Sequence, residues 1–228
     1  MKYDLSNISL VVATFNEEES IGFVLEELKN YKFHEIIIVD NKSSDKTLEI
    51  IKKYNIKILV QEKPGWGNAV IEGFNKSSGK YICYIDGDGS YNPKSIIEMQ
   101  KEIKYYDFIL GSRYKFGNKS IDDTAIRSLG NKFFTKIARI FLKLKFSDAL
   151  FFFPLILNAD YKKIKPKSNG FGLCIEIPFL LAKKGLKYND LLSLERKRYG
   201  GKSKVNALFD GTKILLEIIR IYMFEKVL

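Results

Sequence analysis

Through its first half the chain alternates short apolar runs with stretches whose apolar residues recur every third or fourth position. The runs Ile8 to Thr14, Glu35 to Asp40, Lys57 to Gln61, Tyr81 to Ile85 and Asp107 to Gly111 predict five strands. Glu35 to Asp40 is apolar throughout, as a parallel strand covered on both faces should be. Between the runs, Ile21, Val24, Leu25 and Leu28 mark the buried face of a first helix. A second helix is expected from about Lys46 to Tyr54. A third lies behind the glycine-rich loop Lys63 to Asn68 and reaches about Lys76. Pro93 suits the first turn of a fourth. Regular alternation of strand and helix predicts an α/β fold, a doubly wound and mostly parallel sheet. Such sheets bind ligands at the carboxyl ends of their strands. The polar clusters fall there: Asn16 and Glu17, Asp40, Gly65 to Asn68, Asp86 and Asp88, then Ser112 and Arg113.

The pattern changes at about Ile121. No acidic residue occurs from Thr124 to Ser147. Lys132, Lys136, Arg139 and Lys143 recur at helical spacing. Phe133, Ile137, Ile140 and Leu144 follow one residue behind. This is a basic stripe beside an apolar one. The uncharged segment Ala149 to Ala159 comes next, with Phe151, Phe152 and Phe153 inside it. It is too short to span a bilayer. Beside a basic amphipathic helix it reads as a segment lying on a membrane surface, although both pieces could instead belong to the core. Further on, Arg196 to Lys204 is a basic, glycine-containing loop fit to close over phosphates. Val205 to Leu228 is a mostly helical end, broken by charges and amphipathic. The expected division is a domain over 1–204 and a C-terminal amphipathic helix over 205–228. Within the domain, a first half covers about 1–115 and a second, membrane-facing half about 116–204.

Composition narrows the reading. The chain has 228 residues, 46% hydrophobic and 29% charged, enough for a globular domain with a proper core. A net charge of +11 points to an anionic partner. Its basic residues alternate with aliphatic stripes, and no recognition helix or RNA-binding signature is visible, so nucleic acid is not the expected partner. The two cysteines, Cys83 and Cys174, lack metal-site spacing. Met1 to Asn7 is polar, so no secretory leader is expected there. No uncharged apolar run approaches the length of a membrane span. His34, the only histidine, is expected at the surface.

The strongest chemical signal is Asp86-Gly87-Asp88 at the end of the fourth strand. The glycines let the chain turn, so both carboxylates can face one point. Two carboxylates there repel unless a proton or cation lies between them. Carboxylate oxygens suit Mg²⁺ or Mn²⁺, which share their remaining positions with water and phosphates. A solvated Asp-Gly turn is the plain alternative. The polar clusters at the same sheet edge favour the metal.

These pieces, taken in register, resemble the inverting family-two glycosyltransferases of the nucleotide-diphospho-sugar (GT-A) fold. More narrowly they resemble the dolichol-phosphate or polyprenyl-phosphate mannose and glucose synthases. The matching segments are Val11 to Glu18, Val39 to Thr47, Gly65 to Ala69, Asp86 to Ser90, Gly111 to Tyr114 and Arg198 to Lys204. The resemblance implies that Thr14, Asn16, Glu17, Asp40 and Gly67 bind the nucleotide, with Asp40 accepting from the base. It implies Asp86, Asp88 and Ser90 as metal-side residues, with Asp86 also on the donor. Arg113 and Arg127 would grip the acceptor phosphate, with Arg198 and Lys204 on the donor diphosphate or the closing loop. With Asp88, the two acceptor arginines make up the implied catalytic set. The donor would be UDP-glucose or GDP-mannose and the acceptor a polyprenyl or dolichyl phosphate. The enzyme would sit peripherally on the cytoplasmic face of a membrane, with a homo-oligomer left open. After Ser147-Asp148 the chain departs from the family's polar segment. A soluble or polysaccharide hydroxyl acceptor therefore stays open as a rival.

Overall fold

A computed structural model describes residues 2–225. Its centre is β1 (Tyr3–Thr14). On one side β1 pairs in parallel with β2 (Tyr31–Asp40), and β2 with β3 (Lys57–Val60). On the other side it pairs in parallel with β4 (Tyr81–Asp86). The helices between them are α1 (Ile21–Leu28), α2 (Thr47–Ile51) and α3 (Trp66–Asn75). α4 (Lys94–Glu102) then leads to β5 (Phe108–Ser112). The four residues expected on the inner face of the first helix are all buried.

The seven-stranded sheet runs β3-β2-β1-β4-β6-β5-β7. β6 (Pro154–Leu157) enters antiparallel between β4 and β5, and β7 (Tyr188–Leu192) pairs in parallel with β5. The sheet is therefore mostly parallel, as expected. The strand order changes direction at β1 and β4, where such sheets open a ligand crevice. Register brings the polar ends together: Thr14 pairs with Asp40, and Ala13 with Asp86.

β6 corrects the membrane reading of Ala149 to Ala159. Phe151, Phe152 and Phe153 are buried core residues, and β6 fills the middle of the sheet. An inner strand covered on both faces needs the same unbroken apolar composition as an interfacial segment. After β6 come the short α6 (Asn158–Tyr161) and the buried α7 (Leu173–Lys183).

α5 (Ala125–Phe141) and α8 (Ala207–Phe224) pack together beside the sheet. α5 buries only part of the expected apolar stripe: Ile137 packs against the core, and Leu144, just beyond the helix, is buried. Asn131, Thr135 and Ala138 face inward, while Ile126, Leu129, Phe133 and Ile140 are exposed. α8 covers most of the helix expected over 205–228, of which residues 226–228 lie outside the described residues. It likewise exposes Leu208, Phe209, Leu216 and Met223. Among the described residues no helix is long and apolar enough to cross a membrane.

Candidate functional site

A cavity of about 850 Å³ opens at the carboxyl ends of β1 and β4. Asp86 and Asp88 both line it. Asp86 is the last residue of β4, and Tyr84, two positions earlier, projects to the same side of the strand. The Tyr84 hydroxyl donates to Asp86 Oδ1. Trp66, opening α3, places its indole N–H 2.7 Å from the Tyr84 hydroxyl and 3.3 Å from Asp86 Oδ1. Even so, burial first and the neighbouring Asp88 second push the Asp86 carboxyl up to about 7. Asp88 turns back toward the chain. Its Oδ1 accepts from the Ser90 amide at 2.9 Å and the Ser90 hydroxyl at 2.7 Å. Ser90 thus acts on Asp88 here.

The basic loop closes over this pair. Arg198 Nη2 donates to Asp88 Oδ2 at 2.8 Å. The Tyr199 amide donates to the Asp88 carbonyl and the Arg196 amide to that of Ser90, both at 2.8 Å. The Tyr199 ring stacks on Phe23 at 4.2 Å. Lys204 donates to the carbonyls of Phe15 and Asn16 and to Glu17 Oε1, the last at 2.6 Å. Arg198 Nε and Nη1 are buried without a hydrogen-bond partner. Such orphaned donors are costly unless an anion takes them.

The residues expected to hold a nucleoside divide. Asn16 sits at a left-handed φ of 52° and accepts from the Ser44 amide at 2.8 Å. Glu17 is buried and lines the cavity with Thr14. Asp40 is sealed: it has no exposed surface, and Thr14 and Ser43 occupy both its oxygens. A contact between Asp40 and a base is closed off in this arrangement, and Asn41 forms the wall instead. Gly67 is not on the wall either. A Cβ there would lie 2.5 Å from the Ser168 carbonyl oxygen, and its amide donates to Asn169. Its glycine serves the close approach of segment 168–170 to α3.

Arg113 also departs from expectation. Its guanidinium donates to Asp148 Oδ2 at 2.8 Å and Oδ1 at 3.0 Å, and to Glu195 at 3.3 Å. Asp123 lies 3.4 Å away. Burial works against the charge, but Asp148, Glu195 and Asp123 outweigh it and drive the guanidinium pKa further up. A phosphate at Arg113 would compete with three carboxylates. Asn131 Nδ2 holds Asp148 Oδ1 at 2.6 Å, so α5 is tied to the same cluster. Arg127, by contrast, has no carboxylate in ion-pair reach among the described residues. Its Nη2 donates to the Ser203 hydroxyl at 2.7 Å, at the cavity wall.

A profile for glycosyl transferase family 2 matches residues 9–165, more than half of the chain. The chain belongs to glycosyl transferase family 2. The glycosyltransferase AglJ of Haloferax volcanii is 24% identical over 216 residues, spanning 93% of this chain and 71% of that one. An uncharacterised protein of Methanocaldococcus jannaschii is 33% identical over 130 residues, 54% of each chain. Among solved structures, glucosyl-3-phosphoglycerate synthase of Mycobacterium tuberculosis, in complex with Mn²⁺, UDP and phosphoglyceric acid, superposes with a TM-score of 0.74 at 17% identity. That match covers 95% of this chain and 78% of the other. The likeness confirms the GT-A fold expected for this glycosyltransferase.

The site fits a divalent cation. Two carboxylates border the cavity, Asp88 with its oxygens on Ser90 and Arg198, and a cation would relieve their repulsion. No group of three metal-ligating side chains gathers among the described residues. Such an ion would take its other ligands from phosphate oxygens and water. Sequence reasoning missed Trp66 and Tyr84 as supports of Asp86, and Glu195 and Asp123 as partners of Arg113. The first pair was within reach, because Tyr84 and Asp86 share a strand face.

Asp86 makes a testable contribution to stability. A carboxyl raised from 3.8 to about 7 keeps its proton longer in the folded than in the unfolded state. Its contribution is then fully present at low pH and is lost as pH rises through about 7. In chelator, Asp86→Asn is expected to exceed the wild type in denaturation midpoint above neutral pH, with the gap closing on acidification. A gap that does not change with pH would remove this account.

Proposed function

We propose that this glycosyltransferase moves a hexose from a nucleotide-diphosphate sugar to a polyprenyl or dolichyl phosphate, with inversion, at the cytoplasmic face of a membrane. One observation carries the reading. The cavity that begins at Asp86 and Asp88 continues past Arg127 and Ser203 into an apolar trough between α5 and α8. An acceptor with a charged head and an apolar body matches both ends. Exposed apolar residues on both helices, beside α5 cations with no carboxylate partner among the described residues, suit an anionic bilayer surface.

Asn16, Glu17, Thr14 and Asn41 would form the nucleoside end of the donor site. Asp86 and Asp88 would hold Mg²⁺ or Mn²⁺. When bound, that ion would offset negative charge on the leaving diphosphate. Arg198 would turn its unpartnered N–H groups to the diphosphate oxygens, and Lys204 would keep the loop shut. Preformed donors stabilise charge best where it develops. Arg127 would orient the acceptor phosphate. A phosphate monoester is already ionised near neutral pH, so no general base is needed. A single displacement inverts an α-linked donor. The Mn²⁺ and UDP bound by the mycobacterial synthase support a metal and a UDP-sugar here.

A hydroxyl acceptor is the second reading, favoured by the carboxylates Asp122, Asp123 and Glu195 along the same cavity. Burial raises Glu195 despite Arg113. A raised carboxylate is a better base. Thermal-shift screening of UDP-, GDP- and dTDP-sugars with Mn²⁺ selects the donor. That donor is then offered to undecaprenyl phosphate and to soluble sugars. Transfer to the lipid phosphate is expected, and transfer to soluble sugars alone would establish the second reading.

A further inference from the structure

We propose that the α5–α8 trough binds the acceptor's hydrocarbon chain and that Gly130 and Gly211 set how much of that chain it can take. This rests on the lipid-phosphate reading above. Gly130 lies inside α5 and Gly211 inside α8. Glycine is the poorest helix former after proline. One reason to keep it inside a helix is a neighbour too close for a side chain. That reason holds at neither position. A Cβ on Gly130 would have nothing within 4 Å, and one on Gly211 would meet only the Phe134 ring, at 3.6 Å. Space therefore lies in front of both residues, and both line the cavity.

The walls around that space decide its ligand. Ile126, Leu129, Phe133, Phe134, Leu208 and Ile214 line this end of the cavity. Asp210 also borders this end, but the wall is mainly apolar, and covering it with hydrocarbon is favourable. The trough is continuous with the carboxylate pair, so its occupant belongs to the reaction. Arg127 stands at the junction, where a chain-terminal phosphate would sit. At the rim, Ile126, Leu129 and Leu208 are 72%, 71% and 86% exposed. A chain could pass over this apolar rim from a bilayer into the trough without crossing water.

The test compares wild type with Gly130→Leu, which puts a side chain into the trough. Prenyl phosphates of increasing length, from geranyl phosphate upward, serve as acceptors. Wild-type kcat/KM is expected to rise by about tenfold or more over the first few isoprene units as methylenes become buried. Gly130→Leu is expected to flatten that rise, while the thermal shift by nucleotide and Mn²⁺ shows that the donor site remains. A flat wild-type series, or an equal rise in both proteins, overturns the proposal and leaves the lipid-phosphate function standing. If neither protein uses any prenyl phosphate, the acceptor reading fails, and calorimetric titration with dodecyl phosphate decides the trough. Binding to wild type that is lost in Gly130→Leu supports it. Equal or absent binding overturns it. A second copy of the chain seated in the trough would appear as a changed mass in light scattering with an unchanged length dependence, which also overturns the proposal.

Discussion

Asp88→Asn is expected to lower sugar transfer by about 10³-fold while leaving the fold in place. The amide keeps the size of the carboxylate and can still accept from the Ser90 amide, so the turn after β4 has no reason to open. It cannot balance a divalent cation or the Arg198 guanidinium, which lies 2.8 Å from Asp88 Oδ2. Metal stabilisation of a leaving phosphate amounts to several kcal/mol, and each 1.36 kcal/mol is about a factor of ten in rate. The measurement pairs transfer kinetics with Mn²⁺ binding followed by electron paramagnetic resonance. Transfer and Mn²⁺ affinity should fall together, with Tm within a few degrees of wild type. Wild-type activity in this variant, or in excess chelator, would remove the metal from Asp88.

Arg113→Ala is expected to cost about 3–5 kcal/mol of stability, the usual consequence of stranding buried charge by removing one partner. Asp148, Glu195 and Asp123 would be left facing one another without a countercharge, and buried Asp148 would keep neutral donors, the Asn131 amide and the backbone N–H of position 113. For a chain of this size that is a fall of about 10 °C in Tm. Gripping of the acceptor phosphate by Arg113 would give a different result: a raised acceptor KM at unchanged Tm. Denaturant unfolding alongside acceptor kinetics separates the two, and Arg113→Lys, which keeps a charge, should recover part of the stability. An unchanged midpoint with lost acceptor use would return Arg113 to the acceptor site. On the proposed assignment that effect belongs to Arg127, whose guanidinium donates to the Ser203 hydroxyl and has no carboxylate partner among the described residues.

The alternating pattern carried most of the architecture. Strands that run parallel at the centre of a sheet are apolar along their whole length, and each helix between them shows one apolar stripe. Five strands and the inner face of the first helix were therefore readable from residue order alone. So was the gathering of Asn16, Glu17, Asp86 and Asp88 at one edge, because strand ends converge in any sheet of this kind. The membrane reading of Phe151 to Phe153 went wrong for the same physical reason. An apolar run carries no mark that separates an inner strand from an interfacial segment. The site's detail was hidden for another reason. Arg113 meets its carboxylates from positions 123, 148 and 195, and Arg198 meets Asp88 across 110 residues. No local spacing encodes such pairs.

Residue order by itself determined the α/β class, the carboxylate pair at the end of β4 and a basic, glycine-containing loop suited to phosphates. Those features rest on local periodicity and on which side-chain types can balance charge. Tertiary structure alone decided that Asp40 is sealed, that Arg113 is held by carboxylates and that α5 leaves Phe133 and Ile140 of its apolar stripe exposed. It also decided that two helix glycines line the same cavity as the carboxylate pair. Each of these depends on what stands opposite a side chain, and that is set only when distant segments pack.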